Sequence, residues 1–479
     1  METACEIVEL MHAAAPAGQP RLDDATVRRL RDLTQSLIAA SGSAAEEHAR
    51  FVGIRERGLC LPDAALDEKL RGATVLVTGG TGCIGSTLMR QLVLRCPGRL
   101  VSMSRGGTDA WPRLASAQYV QADVRDRRSL DEVIREIRPD VIFHVAAQRS
   151  PGLAELEVHR TVTTNVFGTR NVLAAAAEAG VPQVVCASTG KALRPYSPET
   201  YTASKRVAEW VSSCAASSGE LLCSSARFTH VVDNSIIYQR LLDWADGGVI
   251  RLHSADIAFY AQSALESAQL LLVAGVGGQR GEYRLHAITD LGWPVSLLDV
   301  ATGVLAQTGS AAPIYFSGYD RGYEEIPFPG LYDPATAGEV SPLLNSFEAC
   351  TVGQSPCRMV DAFRLDAVPD PRPVKLLSAL EEVCDRTQDP RAVRAALDEL
   401  SWSLLDVTLR AAPGRALARA AAQADPYRDG LTLEHRQILD AIQLNADLAD
   451  RRSPQGRPAP RPAAGPRFAA AEVASPLAG

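Results

Sequence analysis

The sequence predicts an α/β protein built on a doubly wound parallel sheet, with helical extensions at both ends. Three observations carry that prediction. Between residues 73 and 330, short apolar runs alternate with helical stretches, the pattern of repeated βαβ units. A glycine-punctuated turn follows the first apolar run directly. On either side, residues 1–70 and 373–450 space their apolar residues at helical intervals.

In order along the chain, residues 1–70 read as a helical N-terminal extension. Asp23 or Asp24 can cap a helix that runs through Val27, Leu30, Leu33 and Leu37. Residues 71–330 carry six expected strands, at 74–78, 100–104, 119–121, 141–145, 183–187 and 221–228. Residues 331–450 read as irregular and then helical, with Leu376, Leu377, Leu380, Leu397, Leu400, Leu404 and Leu405 as the apolar stripe. Residues 451–479 are rich in Pro and Ala and read as a disordered tail.

Bulk composition excludes several function classes. The 479 residues hold 49 Lys+Arg and 56 Asp+Glu, a net charge of −7 with no basic stripe, which argues against nucleic acid as a partner. No run of 18 apolar residues suggests a membrane span, and the N-terminus lacks the pattern of a secretory signal. Ten scattered cysteines form no C-x-x-C pair, and the histidines show no ligand spacing. No metal site is expected, and a reducing cytoplasm is the expected compartment. Only four residues are lysines: Lys69, Lys191, Lys205 and Lys375. Two of the four fall in the segments discussed next.

The first strand runs into Gly79-Gly80-Thr81-Gly82-Cys83-Ile84-Gly85. Glycines at 79, 82 and 85 allow a tight turn, a close approach to a pyrophosphate, and packing of the next helix on its strand. The helix start then offers free N–H groups to phosphate oxygens. This is a Rossmann-type dinucleotide site, with Thr81, Cys83 and Ile84 in the loop. The second strand ends in Ser104-Arg105 and not in a carboxylate. A hydroxyl beside a guanidinium suits a 2′-phosphate, which favours NADP over NAD. A solvated Arg105 stacked on adenine is the plainer alternative. Asp123-Val124, after the third strand, can reach the adenine amine; a turn-forming Asp is equally expected.

Ser188-Thr189-Gly190-Lys191 closes the fifth strand, and Tyr201-Thr202-Ala203-Ser204-Lys205 begins ten residues later. Tyr and Lys four apart share one helix face. The spacing predicts that the Lys205 ammonium lowers the Tyr201 phenol. Tyr201 then exchanges a proton with a hydroxyl or carbonyl as hydride moves, with Thr189 or Ser188 bonded to the same oxygen. His144 reads as a satisfied core residue.

With these segments, and with Ala146-Ala147-Gln148-Arg149, the 164–171 run TNVFGTRN, 227–231 and 294–300, the chain resembles the extended short-chain dehydrogenases/reductases. It is most similar to the nucleotide-sugar 4,6-dehydratase and epimerase branch of polysaccharide biosynthesis. The resemblance covers about residues 73–330. It implies a Rossmann domain with a smaller substrate lobe; Thr189, Tyr201 and Lys205 as the catalytic set, with Lys191 retained; Asn165 near the cofactor; and Gln148, Arg149 and His230 near the substrate. It also implies a homodimer formed through the helices at 158–178 and 201–216.

Three departures stand out. The family's Asp before Lys191 is Gly190 here, an expected arginine is Phe259, and a basic pair is replaced by Asp320 and Glu324, with Arg321 alongside. These changes suggest a polyhydroxylated substrate other than a standard nucleotide sugar, one carrying an amine. The leading expectation is an NADP(H)-dependent oxidoreductase acting on a secondary hydroxyl or ketone. The alternatives are an epimerase or dehydratase that recycles its hydride, and a non-catalytic nucleotide-binding scaffold. The N-terminal extension is expected over the cofactor lobe, and the C-terminal helices over the substrate lobe or at an oligomer interface.

Overall fold

The computed structural model describes residues 3–106, 111–319, 339–366 and 370–452. Eight strands form the central sheet: β1 (Thr74–Thr78), β2 (Arg99–Ser104), β3 (Gln118–Gln121), β4 (Val141–His144), β5 (Gln183–Thr189), β6 (Leu222–Phe228), β7 (Arg284–Ile288) and β8 (Val360–Arg364). Their spatial order is β8-β7-β6-β5-β4-β1-β2-β3. All pairs are parallel except β7 with β8, where Leu285 faces Phe363. The order reverses between β1 and β4, and the carboxyl ends of the strands there form the crevice that such sheets use for ligands.

The first six strands lie where the apolar runs place them, to within two residues. The sheet nevertheless extends past both the six expected strands and the expected boundary at 330. β8 lies inside the stretch read as irregular. It escapes a periodicity reading because Asp361 and Arg364 break a five-residue edge strand.

Helices fill both faces. Four precede the sheet: α1 (Ala4–Ala14), α2 (Asp24–Ala40), α3 (Ala44–Gly53) and α4 (Asp63–Leu70). Asp23 caps α2, accepting from the Thr26 N–H at 2.7 Å. Within the sheet region come α5 (Cys83–Val93), α6 (Arg127–Ile137), α7 (Pro151–Leu156), α8 (Val158–Val162), α9 (Gly168–Glu178), α10 (Thr200–Ser217), α11 (Ile236–Ala245), α12 (Ala264–Gly277) and α13 (Leu297–Thr308). Beyond it lie α14 (Pro371–Arg386), α15 (Pro390–Ala411), α16 (Gly414–Ala424) and α17 (Leu433–Arg452). No helix among the described residues is long and apolar enough to cross a membrane.

Two of the three apolar cores show where the extensions pack, and they reverse the expectation. Ile7, Met11, Leu30, Leu37 and Phe51 of the N-terminal helices share one core with Leu241, Val300, Val304 and Tyr315 of the smaller lobe. The N-terminal extension therefore packs on that lobe. Leu377, Leu380, Val393, Leu397, Leu400 and Leu404 join the sheet's own core instead. α15 lies against α8 and α10, and Arg170 of α9 pairs with Glu381 of α14 at 2.7 Å. The helices expected to meet a second copy are thus covered, on this side, by the chain's own C-terminal pair. Each extension goes to the surface that offers its apolar stripe a partner, a choice that spacing within one helix does not encode.

Candidate active site

The glycine loop is shaped by close backbone contact. Gly79 has φ +75°, and a Cβ there would lie 2.7 Å from the Ala146 nitrogen. A Cβ on Gly85 would lie 2.1 Å from the Gly79 carbonyl oxygen. Gly82 precedes α5 without a side-chain cap, so the first N–H groups of the helix face the loop. Thr81 and Cys83 are buried, and burial pushes the Cys83 thiol up to about 12, so it stays neutral. A loop that admits no side chain, beside an uncapped helix start, fits a dinucleotide pyrophosphate.

Ser104 ends β2 and Arg105 is exposed beyond it. Asp123 does not stand free. Although burial acts to raise it, Arg125 at 2.7 Å holds its carboxyl below the usual range, and Arg105 adds to that pull. Val124 is buried against Gly168, and its carbonyl accepts from Asn171 at 3.1 Å. Ala146 and Ala147 follow β4 at the crevice, the Ala146 N–H donating to Thr78 Oγ1 at 3.3 Å.

Asn165 sits in a single π-helical turn between α8 and α9. Both of its amide hydrogens are engaged: Nδ2 donates to the Gln148 carbonyl at 3.1 Å and Ser204 Oγ at 3.0 Å, and Oδ1 accepts from the Gln148 N–H at 2.8 Å. Asn165 therefore ties the loop after β4 to the first turn of α10. Both amide hydrogens are spent on that tie, while Oδ1 keeps a second lone pair on the crevice side of the loop after β4. The side chain of Gln148 is turned to Glu157, at 3.3 Å.

Tyr201 is half-buried at the start of α10, beside the Thr189 hydroxyl. Ser188 turns the other way, donating to Glu209 at 2.6 Å, so Thr189 is the hydroxyl left beside Tyr201. Lys205 is buried and donates to the Ala187 carbonyl at 2.6 Å. The expected lowering of the phenol by Lys205 is not what the structure shows. Burial raises Tyr201, and the groups opposing it are Thr189 and the Arg149 guanidinium. Lys205 is itself pushed below the ordinary amine range by burial. Its head is committed to a carbonyl, so the cation acting on the phenol is Arg149, which is exposed and lies against the Asn234 amide.

Lys191 is not a free amine. Its Nζ meets Glu199 Oε2 at 2.9 Å, and burial lowers its pKa against that partner. Glu199 is a residue that motif reading passed over, although it precedes Tyr201 by only two positions.

His230, expected near the substrate, is half-buried at the end of the sheet. Its Nε2 meets Ser235 Oγ at 2.7 Å, and its ring packs at 4.7 Å from Phe259, which also meets Phe51 of α3 edge-on. Burial drives its pKa down to about 4. Phe259, one of the departures noted above, thus belongs to an aromatic cluster completed by the N-terminal extension. His144 is the core residue expected, bonded to Thr78 at 2.8 Å and Thr169 at 3.1 Å and pushed down to about 3 by burial. Asp320, Glu324 and Arg321 lie outside the described residues.

Among the described residues no cluster of His, Cys, Asp or Glu could hold a metal. The family model described as "Polysaccharide biosynthesis protein" matches residues 75–325, a little over half the chain. The capsular polysaccharide biosynthesis protein CapD of Staphylococcus aureus is 29% identical over 282 residues, covering 55% of this chain and 46% of that protein. An inverting UDP-N-acetylglucosamine 4,6-dehydratase of Campylobacter jejuni is 31% identical over 130 residues, 26% of this chain and 38% of its own. The chain therefore spans less than half the length of either relative. The solved structure of Pen from Bacillus thuringiensis shares the fold at a TM-score of 0.52 and 22% identity, covering 62% of this chain and 89% of that one. With its glycine loop and parallel sheet, and with Thr189, Tyr201 and Lys205 inside the matched range, the chain belongs to the polysaccharide biosynthesis protein family, within the extended short-chain dehydrogenases/reductases.

Proposed function

We propose that this protein is an NADP(H)-dependent enzyme that oxidises or reduces a secondary alcohol or ketone on a sugar nucleotide. The observation that carries the reading is the Tyr201 phenol beside the Thr189 hydroxyl, which acts to lower it, with Lys205 buried one turn along the same helix. When bound, the dinucleotide accepts or donates the hydride. The chain's own residues do the rest. Gly79, Thr81, Gly82, Cys83, Ile84 and Gly85 shape the phosphate cradle, with Ala146 and Ala147 along the crevice. Ser104 and Arg105 receive the 2′-phosphate, while Asp123 and Val124 border the adenine. Thr189 and Tyr201 share the reacting oxygen and move its proton, and Lys205 fixes Ala187 beneath them. Arg149 is the cation available to an anionic substrate group.

The names of the relatives favour a nucleotide sugar and a dehydratase or epimerase cycle in which the hydride returns to the substrate. The non-catalytic scaffold is disfavoured by a Tyr–Thr pair that binding alone does not require. A cytoplasmic location agrees with ten unpaired cysteines. A homodimer would have to use a face other than the one α14 and α15 cover.

Cofactor preference is tested by fluorescence titration with NADPH and NADH. Tighter NADPH binding that is lost in Arg105→Ala is expected; equal affinities would sink the NADP assignment. With UDP-N-acetylglucosamine and UDP-glucose as trial substrates, Tyr201→Phe should reduce turnover by about 100-fold or more. Wild-type rates in that variant would remove Tyr201 from the chemistry.

A further inference from the structure

Three arginines lie close together where α3 runs out into the turn Ile54–Glu56 and the segment beyond it. Two of them are paired. Arg50 Nε donates to Glu47 at 2.9 Å, and Arg57 Nε donates to Glu266 of α12 at 2.9 Å. Arg55, between them, forms no ion pair or hydrogen bond among the described residues, and its Nε–H is buried without an acceptor. A buried donor left in that state is costly unless an acceptor reaches it. The Arg55 guanidinium stands over the Tyr238 ring, 5.4 Å from its centroid, and the Tyr238 hydroxyl meets His48 Nε2 at 3.1 Å. Burial lowers the His48 pKa and the Arg55 charge lowers it further, so the imidazole stays neutral beside the guanidinium.

The turn that carries Arg55 packs on the turn Val232–Asn234, which leads from the end of the sheet into α11. Asn234 Oδ1 accepts from both terminal nitrogens of Arg149. Arg149, like Arg55, meets no carboxylate among the described residues, and its charge reaches the Tyr201 phenol. The acid of this turn, Asp233, is directed to α12, where Oδ2 accepts from the Ala264 N–H at 2.6 Å, although its charge still reaches Cys83. One turn of chain thus gathers two guanidinium groups at the edge of the crevice. One of them comes from outside the matched span 75–325. Two such cations repel unless an anion joins them, and each presents a fork that matches phosphate oxygens.

We propose that Arg55 of the N-terminal extension and Arg149 of the loop after β4 together bind the phosphoryl oxygens of the substrate at the turn 232–234. The inference rests on the sugar-nucleotide reading above and deepens it: the extension, and not the smaller lobe alone, then decides which substrates are held. Both forks are set before a ligand arrives. Asn234 orients Arg149, and the Tyr238 ring supports Arg55. Phe51, one turn before Arg55 and 1% exposed, anchors the extension, with its ring 5.3 Å from Tyr238 and 6.3 Å from Phe259. Side chains fixed in this way lose less freedom on binding. A phosphoryl group brings acceptors for the buried Nε–H of Arg55 and charge for both guanidinium groups. A neutral sugar brings no such charge.

Calorimetric titration of UDP-N-acetylglucosamine, and separately of inorganic pyrophosphate, into the full-length protein saturated with NADP tests the assignment. Saturation keeps the probes out of the glycine loop. Arg55→Met keeps an unbranched stem over Tyr238 and removes the charge. It should weaken both probes about tenfold or more, the worth of a charged hydrogen bond. NADPH binding, followed by fluorescence, should stay as in the wild type. Arg55→Lys keeps the charge and loses the fork, so it should weaken the probes less, and it serves alone if the Met variant loses NADPH binding. Unchanged affinity for pyrophosphate in the variant that folds overturns the proposal, and so does a wild type that binds no pyrophosphate. If the wild type binds pyrophosphate but not UDP-N-acetylglucosamine, the sugar-nucleotide reading fails on that probe. The loss of pyrophosphate binding in Arg55→Met would still uphold the two-arginine site.

Discussion

Arg149 is the residue whose charge reaches the phenol. Tyr201 is raised by burial, and Arg149 and Thr189 pull against that rise. Removing the guanidinium should leave the phenol higher still. In the oxidising direction a tyrosinate is the base, so the rate climbs as pH rises through the Tyr201 pKa. Arg149→Met should therefore move that limb of the kcat/KM profile to higher pH, by up to about one unit. A change in KM with the limb in place would show that Arg149 binds substrate without tuning the base. At this scale the sequence was most legible where function needs a fixed local spacing. The glycines at 79, 82 and 85 and the Tyr201/Lys205 pair are set by one turn and one helix face. Glu199, and the turning of Lys205 towards Ala187, depend on the path of the chain between 190 and 200, which no periodicity describes.

The elements are joined by buried charge as much as by apolar contact. Glu209 of α10 receives Ser188 Oγ from the end of β5 and the Arg227 guanidinium from β6, at 2.6, 2.8 and 2.7 Å. The other side of Arg227 meets Glu348, at 2.7 and 2.8 Å. Arg227 is 0% exposed; burial acts against its charge, and the two carboxylates outweigh that and hold its pKa above the ordinary value. The pairing clips the segment carrying Glu348 to β6, the neighbour of the strand that ends in Thr189. Glu348→Gln keeps the shape and removes one charge, leaving Arg227 underpaired in the interior. About 3 kcal/mol of unfolding free energy should be lost, as breaking a buried pair typically costs. Urea denaturation measures it, and a loss below about 1 kcal/mol would mean that Glu209 alone suffices. Strands β1–β6 were readable as apolar runs because both sheet faces are covered. β7 and β8 were not, since β7 carries Arg284 and His286 and β8 is a short, interrupted edge.

At the scale of the whole molecule, three separate cores are present, the third joining α15, α16 and α17 to Tyr196 and Phe347, and the two larger ones predict separate responses to damage. The core beneath the sheet includes Val184 and Val185 of β5 together with Leu400 of α15, all at 0% exposure. The core beneath the smaller lobe includes Phe51 of α3, at 1%, and excludes the sheet. The sequence showed that both ends of the chain were helical and amphipathic. It could not show which lobe each end would join, because one apolar stripe fits any apolar partner. The consequence is measurable. Leu400→Ala should cost about 2–5 kcal/mol and Phe51→Ala about 3–5 kcal/mol, since each leaves a cavity in a packed interior. Hydrogen–deuterium exchange resolved by peptide should separate the two. Leu400→Ala is expected to speed exchange in α15 and equally in β5 and β6, the strands that present Thr189 and Arg227. Phe51→Ala should speed exchange across 236–316 while amides of β1 to β6 keep their protection. If Leu400→Ala loosens only residues 371–452, the C-terminal helices are a separate folding unit resting on the sheet. The support they lend to the turn at 190–200 would then be local contact and not a shared core.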